Sequence, residues 1–296
     1  VLNMNMKKLA ALALMSTMIF SSTAFAAETS AQPSAQTAQT ETAKKWSDYF
    51  VVAHACGAVD GRSETNSLEA FEQNYEKGQR VFEIDFTLTM DNYLVARHDF
   101  AENSYYVMEQ SYNKKVPVMM HDKFMSTPIN YKYTSMDADT VVSLLNKYPD
   151  AYIVTDSKST DKAKIEKEFT LLKQAVEKTG NKEIFDRIVV QLYFPDMLGY
   201  IRNVGGFKNF MLTTYQIKNP DFNYIANFCK QNNIAAIVMP EEVLTVEKSK
   251  IIHNAGLKLY THTVNRLSAV KTDISVFGID GVYSDYITEN DINYIK

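Results

Sequence analysis

A pair of carboxylates in one apolar run is the clearest candidate for metal binding or catalysis in this sequence. Glu83 and Asp85 are two positions apart in the predicted strand Val81–Phe86, so both side chains point to the same side. Two adjacent carboxylates inside a fold repel each other unless a cation lies between them or one of them is protonated. Asp156, at the end of another apolar run, supplies a third oxygen donor. We therefore predict that Glu83, Asp85 and Asp156 bind one divalent cation, Ca²⁺ or Mg²⁺, both of which prefer oxygen ligands. The alternative is a strand whose charges face solvent.

Two histidines at the ends of apolar runs are candidates for proton transfer. His54 ends the first strong apolar run, and His98 ends a short run that follows the carboxylate pair. An imidazole with a pKa near ~6.5 can accept or donate a proton at neutral pH. We predict that His54 and His98 are the catalytic acid and base. A structural role for each histidine is the alternative.

Further polar residues at the ends of predicted strands are candidates for substrate binding. Lys158 lies two residues beyond Asp156, and its compact positive charge suits a phosphate group. Gln191, Tyr193 and His262 stand at or near the ends of later strands. We predict that these four residues line the substrate site.

Nine short apolar runs and seven longer helical segments must position these residues. The predicted strands are Phe50–His54, Val81–Phe86, Tyr93–Arg97, Ala151–Thr155, Arg187–Leu192, Phe210–Thr214, Ala235–Met239, Leu257–Thr263 and Gly281–Ser284. The predicted helices are Ser67–Lys77, Asp137–Lys147, Asp161–Lys178, Pro195–Asn203, Pro220–Gln231, Glu241–Asn254 and Arg266–Phe277.

The spacing of the strands predicts an α/β fold, a (β/α)8 TIM barrel. Parallel strands need a crossover of about a dozen residues or more, and only Met90, Asp91 and Asn92 separate Thr89 from Tyr93. The third run must therefore fold back on the second as a hairpin. Eight barrel strands remain, with an insertion of hairpin and loop, up to Thr134, after strand two. The alternative is a doubly wound open sheet, but no GxGxxG motif follows any strand.

The composition narrows the possible classes of protein. The chain has 296 residues with a formal charge of −4, 46% hydrophobic residues and two cysteines, Cys56 and Cys229. The mild acidity argues against nucleic acid as a partner. Two cysteines allow at most one bridge and exclude a disulfide scaffold.

The N-terminal residues are typical of a secretory signal peptide. Lys7 and Lys8 precede an apolar stretch, and small residues flank Phe25 before a cleavage point after Ala26. The apolar stretch is shorter than the ~20 residues of a membrane span, so we expect no stable membrane anchor. Residues 27–44 are rich in Ala, Gln, Ser and Thr and are predicted to be a disordered linker. The sequence therefore predicts a signal peptide at 1–26, a barrel domain at 45–296, and a secreted or extracytoplasmic location.

Several motifs resemble those of the glycerophosphodiester phosphodiesterase family, whose barrel is related to that of phosphatidylinositol-specific phospholipases C. They are His54-Ala55-Cys56-Gly57, Thr65-Asn66-Ser67-Leu68-Glu69-Ala70-Phe71, Gly78, Glu83-Ile84-Asp85, Thr89-Met90-Asp91, His98-Asp99, Asp156-Ser157-Lys158, Thr263-Val264-Asn265 and Gly281-Val282-Tyr283-Ser284-Asp285. The resemblance spans nearly the whole barrel domain. It implies that His54 and His98 are catalytic, that Glu83, Asp85 and Asp156 bind a metal, and that Lys158 contacts phosphate or substrate.

Three positions depart from that family's pattern. Ala55 stands where the family usually has a phosphate-binding Arg, Thr65 where it has Glu, and Asp156 where it has a metal-binding Glu. Lys158, Arg62 and Arg97 are candidates to replace the missing charge, and Lys158 is the best placed of them.

The resemblance and the residues together predict a secreted, metal-dependent phosphodiesterase. It would hydrolyse glycerophosphodiesters to glycerol phosphate and an alcohol by two-histidine acid–base catalysis. The alternatives are a phospholipase that cleaves phosphatidylinositol or a lysophospholipid, and an altered barrel that only binds a phosphorylated ligand. The expected partner is a small-molecule phosphodiester, and peripheral contact with lipid is compatible with it.

Overall fold

Eight parallel strands close into a barrel in the computed structural model, which describes residues 44–295. The strands are β1 (Val51–Ala53), β2 (Val81–Leu88), β3 (Leu94–Ala96), β4 (Tyr152–Asp156), β5 (Ile188–Leu192), β6 (Asn209–Thr213), β7 (Ala236–Pro240), β8 (Lys258–His262) and β9 (Gly281–Ser284). All except β3 pair in parallel, and β1 pairs with both β2 and β9, which closes the ring. The predicted (β/α)8 TIM barrel is confirmed.

Strand β3 lies outside the ring and pairs with β2 in antiparallel register, with Phe86 opposite Ala96. This is the predicted hairpin. The insertion that follows contains two helices of six residues each, α2 (Glu102–Val107) and α3 (His121–Ser126), where the sequence predicted a loop. The insertion has a small hydrophobic core of its own, formed by Val95, Phe100, Tyr105 of α2 and Phe124 of α3.

Helices cover the outside of the barrel, as their periodic apolar faces require. The remaining helices are α1 (Leu68–Glu76), α4 (Ala138–Lys147), α5 (Lys162–Thr179), α6 (Met197–Val204), α7 (Phe222–Gln231), α8 (Val246–Asn254), α9 (Leu267–Phe277) and α10 (Glu289–Asn293). Side-chain caps fix several starts: Ser67 accepts from the amide of Ala70, and Asp137 accepts from that of Thr140. The helix predicted over 241–254 is shorter, because a 3₁₀ turn occupies Glu241–Val243 and α8 begins only after its cap, Thr245.

Side chains fill the barrel and exclude an open channel at its base. The interior cluster includes Val52, Val154, Val189, Met211 and Tyr260, each at most 1% exposed. A side chain at Gly281 would lie 2.1 Å from the Tyr260 ring, so the ring fits inside the barrel only because position 281 is glycine. A second layer, between strands and helices, contains the stacked rings of Phe71 and Phe82, 4.1 Å apart.

The sequence predictions for the N-terminus fall on residues that the structure does not describe. The signal peptide at 1–26 lies outside the described residues, and so does the linker apart from Lys44. Between residues 44 and 295, no helix combines the length and the apolar character that crossing a bilayer requires. Cys56 and Cys229 are both free and buried, so they do not pair.

Candidate active site

A cavity of about 180 Å³ opens among the C-terminal ends of the barrel strands. This is the end of the barrel at which strand-end residues from different strands converge. Most of the residues singled out from the sequence line it. The lining residues are His54, Glu83, His98, Asp156, Lys158, Gln191, Thr213, Tyr215, His262, Thr263 and Tyr283.

Three carboxylates converge at this mouth. Glu83, Asp85 and Asp156 each offer an oxygen within 4.8 Å of the others, and all three residues are buried. Their proximity follows from the register of the sheet, because Asp85 of β2 lies directly beside Asp156 of β4. Asn66 holds Asp85 in place by donating from Nδ2 to Oδ2 over 2.8 Å. The sequence assigned no role to Asn66.

Lys158 provides the positive charge nearest to these carboxylates. Its Nζ donates to Asp85 and to Asp156 Oδ2, the latter over 2.6 Å. Burial of Lys158 opposes its charge, but the carboxylates of Asp85, Asp156 and Glu83 outweigh burial and raise the pKa of the ammonium. Lys158 therefore stays charged and bound to the carboxylate cluster.

The three carboxylates differ in how readily they lose a proton. Burial, followed by the charge of Asp85, raises the pKa of Glu83 to about 8. Burial also raises the pKa of Asp156. For Asp85 burial acts in the same direction, but the ammonium of Lys158 and the nearby histidines lower the pKa of the carboxyl below its usual value. Lys158 therefore stabilises the ionised form of Asp85, whereas Glu83 lacks enough nearby positive charge to be ionised at neutral pH.

An unpaired oxygen supports a cation at this cluster. Ala55 donates its backbone N–H to Glu83 Oε2 over 2.6 Å, whereas Glu83 Oε1 is buried and has no hydrogen-bond partner among the described residues. A buried carboxylate oxygen without a partner is costly unless a ligand satisfies it. Three carboxylates from neighbouring strands fit the oxygen-ligand preference of a hard divalent ion.

A second set of polar residues holds His54. Its Nδ1 lies 2.8 Å from Asp285 Oδ1, and Asn265 Nδ2 donates to the other oxygen of Asp285 over 2.6 Å. Burial of His54 favours the neutral imidazole, but its hydrogen bond to Asp285 and the charges of Glu83, Asp285 and Asp85 outweigh it and raise the pKa to about 10. Asp285 and Asn265 appeared in the sequence motifs but had no predicted role.

His98 is held in a similar way from the insertion. Its Nδ1 lies 2.6 Å from Asp99 Oδ2. Asp99 Oδ1 in turn accepts from the backbone of Ala101 over 2.7 Å and from the hydroxyl of Ser104 on α2. The helix missed in the sequence thus fixes the carboxylate that orients His98. Since His54 and His98 both line the cavity, each ring has a carboxylate behind it and the site in front of it.

The predicted substrate-binding residues fall into two groups. Lys158, Gln191 and His262 line the cavity. Tyr193 does not belong to the described residues that line it: its hydroxyl donates to Asp156 and accepts from the backbone N–H of Lys158 over 2.9 Å. The ring of Tyr193 is fully buried and lies behind Asp156. Its hydroxyl therefore positions this carboxylate and does not contact the cavity.

The three residues proposed to replace the missing positive charge at position 55 differ in their surroundings. Arg97 is 5% exposed and packs over the rings of Phe100 and Tyr105, and Arg62 pairs with Glu109 on the insertion. Neither arginine lines the cavity among the described residues, whereas Lys158 does.

The chain after β1 is tightly packed beneath the site. A side chain at Gly57 would lie 2.7 Å from Asn74 Nδ2. Asn74 needs that room, because its Nδ2 donates to the carbonyls of Cys56, Ala58 and Ala70. The fixed loop holds the backbone amide of Ala55 against Glu83.

Comparisons with known proteins agree with this geometry. Residues 57–289 match the model of the glycerophosphoryl diester phosphodiesterase family. No curated protein matches the chain.

Solved structures of low identity share the fold. A glycerophosphodiester phosphodiesterase from Parabacteroides distasonis superposes with a TM-score of 0.65 at 17% identity, covering 84% of this chain and 97% of that one. A phosphodiesterase from Oleispira antarctica, solved with the product sn-glycerol-3-phosphate, gives a TM-score of 0.64 at 14% identity, covering 83% and 96%. A glycerophosphodiester phosphodiesterase from Thermotoga maritima gives 0.56 at 15%, covering 83% and 97%.

Proposed function

The chain belongs to the glycerophosphoryl diester phosphodiesterase family, and from this premise we propose that it hydrolyses glycerophosphodiesters to glycerol phosphate and an alcohol. Membership makes it a phosphoric diester hydrolase. The observation that carries the proposal is the convergence of three carboxylates, one lysine and two histidines around one cavity. The Oleispira antarctica relative, which binds glycerol phosphate as product, supports this class of substrate.

Glu83, Asp85 and Asp156 would hold one divalent cation, Mg²⁺ or Ca²⁺. When bound, such an ion supplies positive charge to the phosphate and to the oxygen that attacks or leaves it. The protein positions these ligands through Asn66 and Tyr193, which bond to Asp85 and Asp156 respectively.

His54 and His98 would move the protons of the reaction. One imidazole removes a proton from the attacking water, and the other donates a proton to the leaving oxygen, so that glycerol phosphate and the alcohol are released. Asp285 and Asp99 hold the Nδ1 atoms of the two rings, so each Nε2 is the atom available to the substrate. Lys158 would bind a phosphate oxygen.

An activity assay with matched variants tests this proposal. The purified protein is given a panel of glycerophosphodiesters with and without a metal chelator, and we expect turnover that the chelator abolishes. His54→Ala and His98→Ala should each lower kcat by ~10²–10⁴, with metal binding retained. His253→Ala is the control, because His253 lies on helix α8, pairs with Asp280 and does not line the cavity. Near-normal turnover in either active-site variant would remove the two-histidine mechanism.

We also propose that the protein is exported. The basis is the sequence pattern before Ala27. N-terminal sequencing of secreted material should begin at or near Ala27, and an exported form that still carries Lys7 and Lys8 would refute cleavage.

A further inference from the structure

A carboxyl group lies on the buried face of α5, where the other buried side chains are apolar. Glu168 is 1% exposed. The remaining buried residues of this helix follow the spacing of one helix face and are Ile165, Phe169, Leu172, Ala175 and Val176. Burying a carboxyl costs free energy unless it is hydrogen-bonded, and an apolar side chain of similar size would avoid that cost. The position of Glu168 therefore points to a role other than packing.

Glu168 contacts the turn 157–159, which follows β4. Ser159 Oγ lies 3.0 Å from Glu168 Oε1 and 3.3 Å from the carbonyl oxygen of Ser157. Both serines are nearly buried, at 5% and 6% exposure. The partly exposed ammonium of Lys164, one turn earlier on α5, lies 3.7 Å from Glu168 Oε1. Glu168 thus reaches back from the helix to the residues that leave the barrel strand.

The hydroxyl of Ser159 has a single hydrogen for its two acceptors. Both contacts are hydrogen bonds at the same time only when Glu168 carries a proton and donates it to Ser159 Oγ. Burial outweighs the opposing effects of the Ser159 hydrogen bond and the Lys164 charge and raises the pKa of Glu168 to about 7, so the protonated form is well populated at neutral pH. A chain of hydrogen bonds then runs from Glu168 through Ser159 to the carbonyl of Ser157.

Lys158 lies inside this turn and has a left-handed backbone conformation, with φ of +53°. Such a conformation costs a residue other than glycine on the order of 1–3 kcal/mol and persists only where its surroundings hold it. On one side the backbone N–H of Lys158 donates to the hydroxyl of Tyr193 over 2.9 Å. On the other side Ser159 and Glu168 hold the turn. The turn in this conformation directs the ammonium of Lys158 at the carboxylate cluster.

We propose that Glu168 is a positioning residue for Lys158: through Ser159 it holds the turn 157–159 in the conformation that presents the ammonium to a phosphate oxygen. This inference rests on the proposed function, since Lys158 contacts phosphate only in that function. Glu168 does not belong to the described residues that line the cavity, so it acts without touching the substrate. An amide at position 168 can replace the protonated carboxyl, because its NH₂ group donates to the same oxygen.

Calorimetric binding of inorganic phosphate to the full protein in the presence of Mg²⁺ tests the inference. Glu168→Leu removes the hydrogen bond and keeps an aliphatic side chain of similar size. It should weaken phosphate binding by about three- to tenfold. Glu168→Gln keeps a donor for Ser159 Oγ, and its phosphate affinity should stay within about twofold of that of the unmutated protein.

A double-mutant cycle separates positioning of Lys158 from general packing. Lys158→Met removes the ammonium and should weaken phosphate binding by itself. Adding Glu168→Leu to Lys158→Met should cause no further loss, because the two residues act through one contact. Ser159→Ala breaks the same chain by a smaller change and should behave as Glu168→Leu does.

Asp273→Leu is the matched control. Asp273 is also an acid on a barrel helix, α9, and is 4% exposed, but it does not belong to the described residues that line the cavity. This variant removes a buried carboxyl without touching the turn 157–159. It should leave the dissociation constant of phosphate unchanged.

Several results would overturn the inference. One is that Glu168→Leu and Ser159→Ala bind phosphate as tightly as the unmutated protein. Another is that Glu168→Leu weakens binding equally with and without Lys158, or that Glu168→Gln or Asp273→Leu weakens it as much. Absence of phosphate binding by the unmutated protein would also exclude this role. Failure to hydrolyse any glycerophosphodiester, with phosphate binding and its dependence on Glu168 intact, contradicts the proposed function instead.

Discussion

The contact between His54 and Asp285 gives the most direct test of how the site works. Asp285→Asn keeps the size of the side chain and removes its charge. At present Asp285 accepts hydrogen bonds with both oxygens, one at His54 Nδ1 over 2.8 Å and one from Asn265 Nδ2 over 2.6 Å. An amide has only one oxygen, so Asn265 and the His54 ring would compete for it. If the amide oxygen turns to Asn265, its NH₂ group faces the N–H at Nδ1 of the protonated ring, and the hydrogen bond that orients His54 is lost.

The size of the effect follows from the surroundings of His54. The pKa of His54 is raised from 6.5 to about 10, against the effect of burial, by its bond to Asp285 and by the charges of Glu83, Asp285 and Asp85. A hydrogen bond to a charged group contributes about 1.5–3 kcal/mol, and about 1.4 kcal/mol corresponds to one pKa unit. Asp285→Asn should therefore lower the pKa of His54 by roughly one to two units. The rate should fall by ~10²–10⁴, since the ring loses the carboxylate that orients it and part of the charge that keeps it protonated.

Two measurements check this prediction together. NMR titration of the His54 ring reports its pKa and tautomer, and steady-state kinetics report kcat as a function of pH. Asp280→Asn is the control, because Asp280 pairs with His253 over 3.0 Å away from the cavity, and it should leave kcat unchanged. If Asp285→Asn has a kcat within twofold of the unmutated protein and an unchanged His54 pKa, Asp285 does not position this histidine.

Three further predictions concern the metal ligands, a buried acid and the core. Asp85→Asn should weaken divalent-cation binding on the order of 100-fold, because affinity follows the charge of the ligands; calorimetry measures this, Asp280→Asn is the control, and unchanged affinity would exclude Asp85 as a ligand. Burial raises the pKa of Glu168 from 4.5 to about 7, so the folded protein keeps this proton longer than the unfolded chain and stability falls as pH rises through that window. Urea unfolding should accordingly show that Glu168→Gln gains roughly 2–3 kcal/mol over the unmutated protein between pH 5 and pH 8, and a constant difference would contradict it. Phe71→Ala should cost about 3–5 kcal/mol of unfolding free energy, because it removes a fully buried ring stacked on Phe82; a loss below about 1 kcal/mol in urea unfolding would contradict that packing.

The barrel was predictable because its strands are short, apolar and separated by helices of ordinary length. The hairpin was equally clear, since three residues between Thr89 and Tyr93 cannot form a parallel crossover. Helices α2 and α3 were not visible, because six residues give too few turns for a periodic pattern. Their position depends on the small core around Phe124, which forms only in the fold.

The sequence predicted site residues that form a local pattern within one strand. It did not predict residues whose role depends on a partner far away along the chain. Glu83 and Asp85 stood out because they alternate in an apolar run. Asp285 lies 231 residues from His54 along the chain, and no local pattern joins them. Tyr193 was placed against the substrate because it follows a strand, but its hydroxyl turns back to Asp156.

The charges of the site fit a phosphodiester despite the alanine at position 55. With Glu83 ionised, as cation binding would require, the three carboxylates and the ammonium of Lys158 sum to two negative charges, which one divalent cation would balance. An imidazolium at His54 adds one positive charge, equal in size to the single negative charge of a phosphodiester. Lys158 uses two of its three donors on Asp85 and Asp156, so one donor remains for a phosphate oxygen. Lys158, just after β4, and the proton on His54 would therefore supply the charge that the family usually places after the first histidine, and phosphate binding would then weaken as His54 loses its proton.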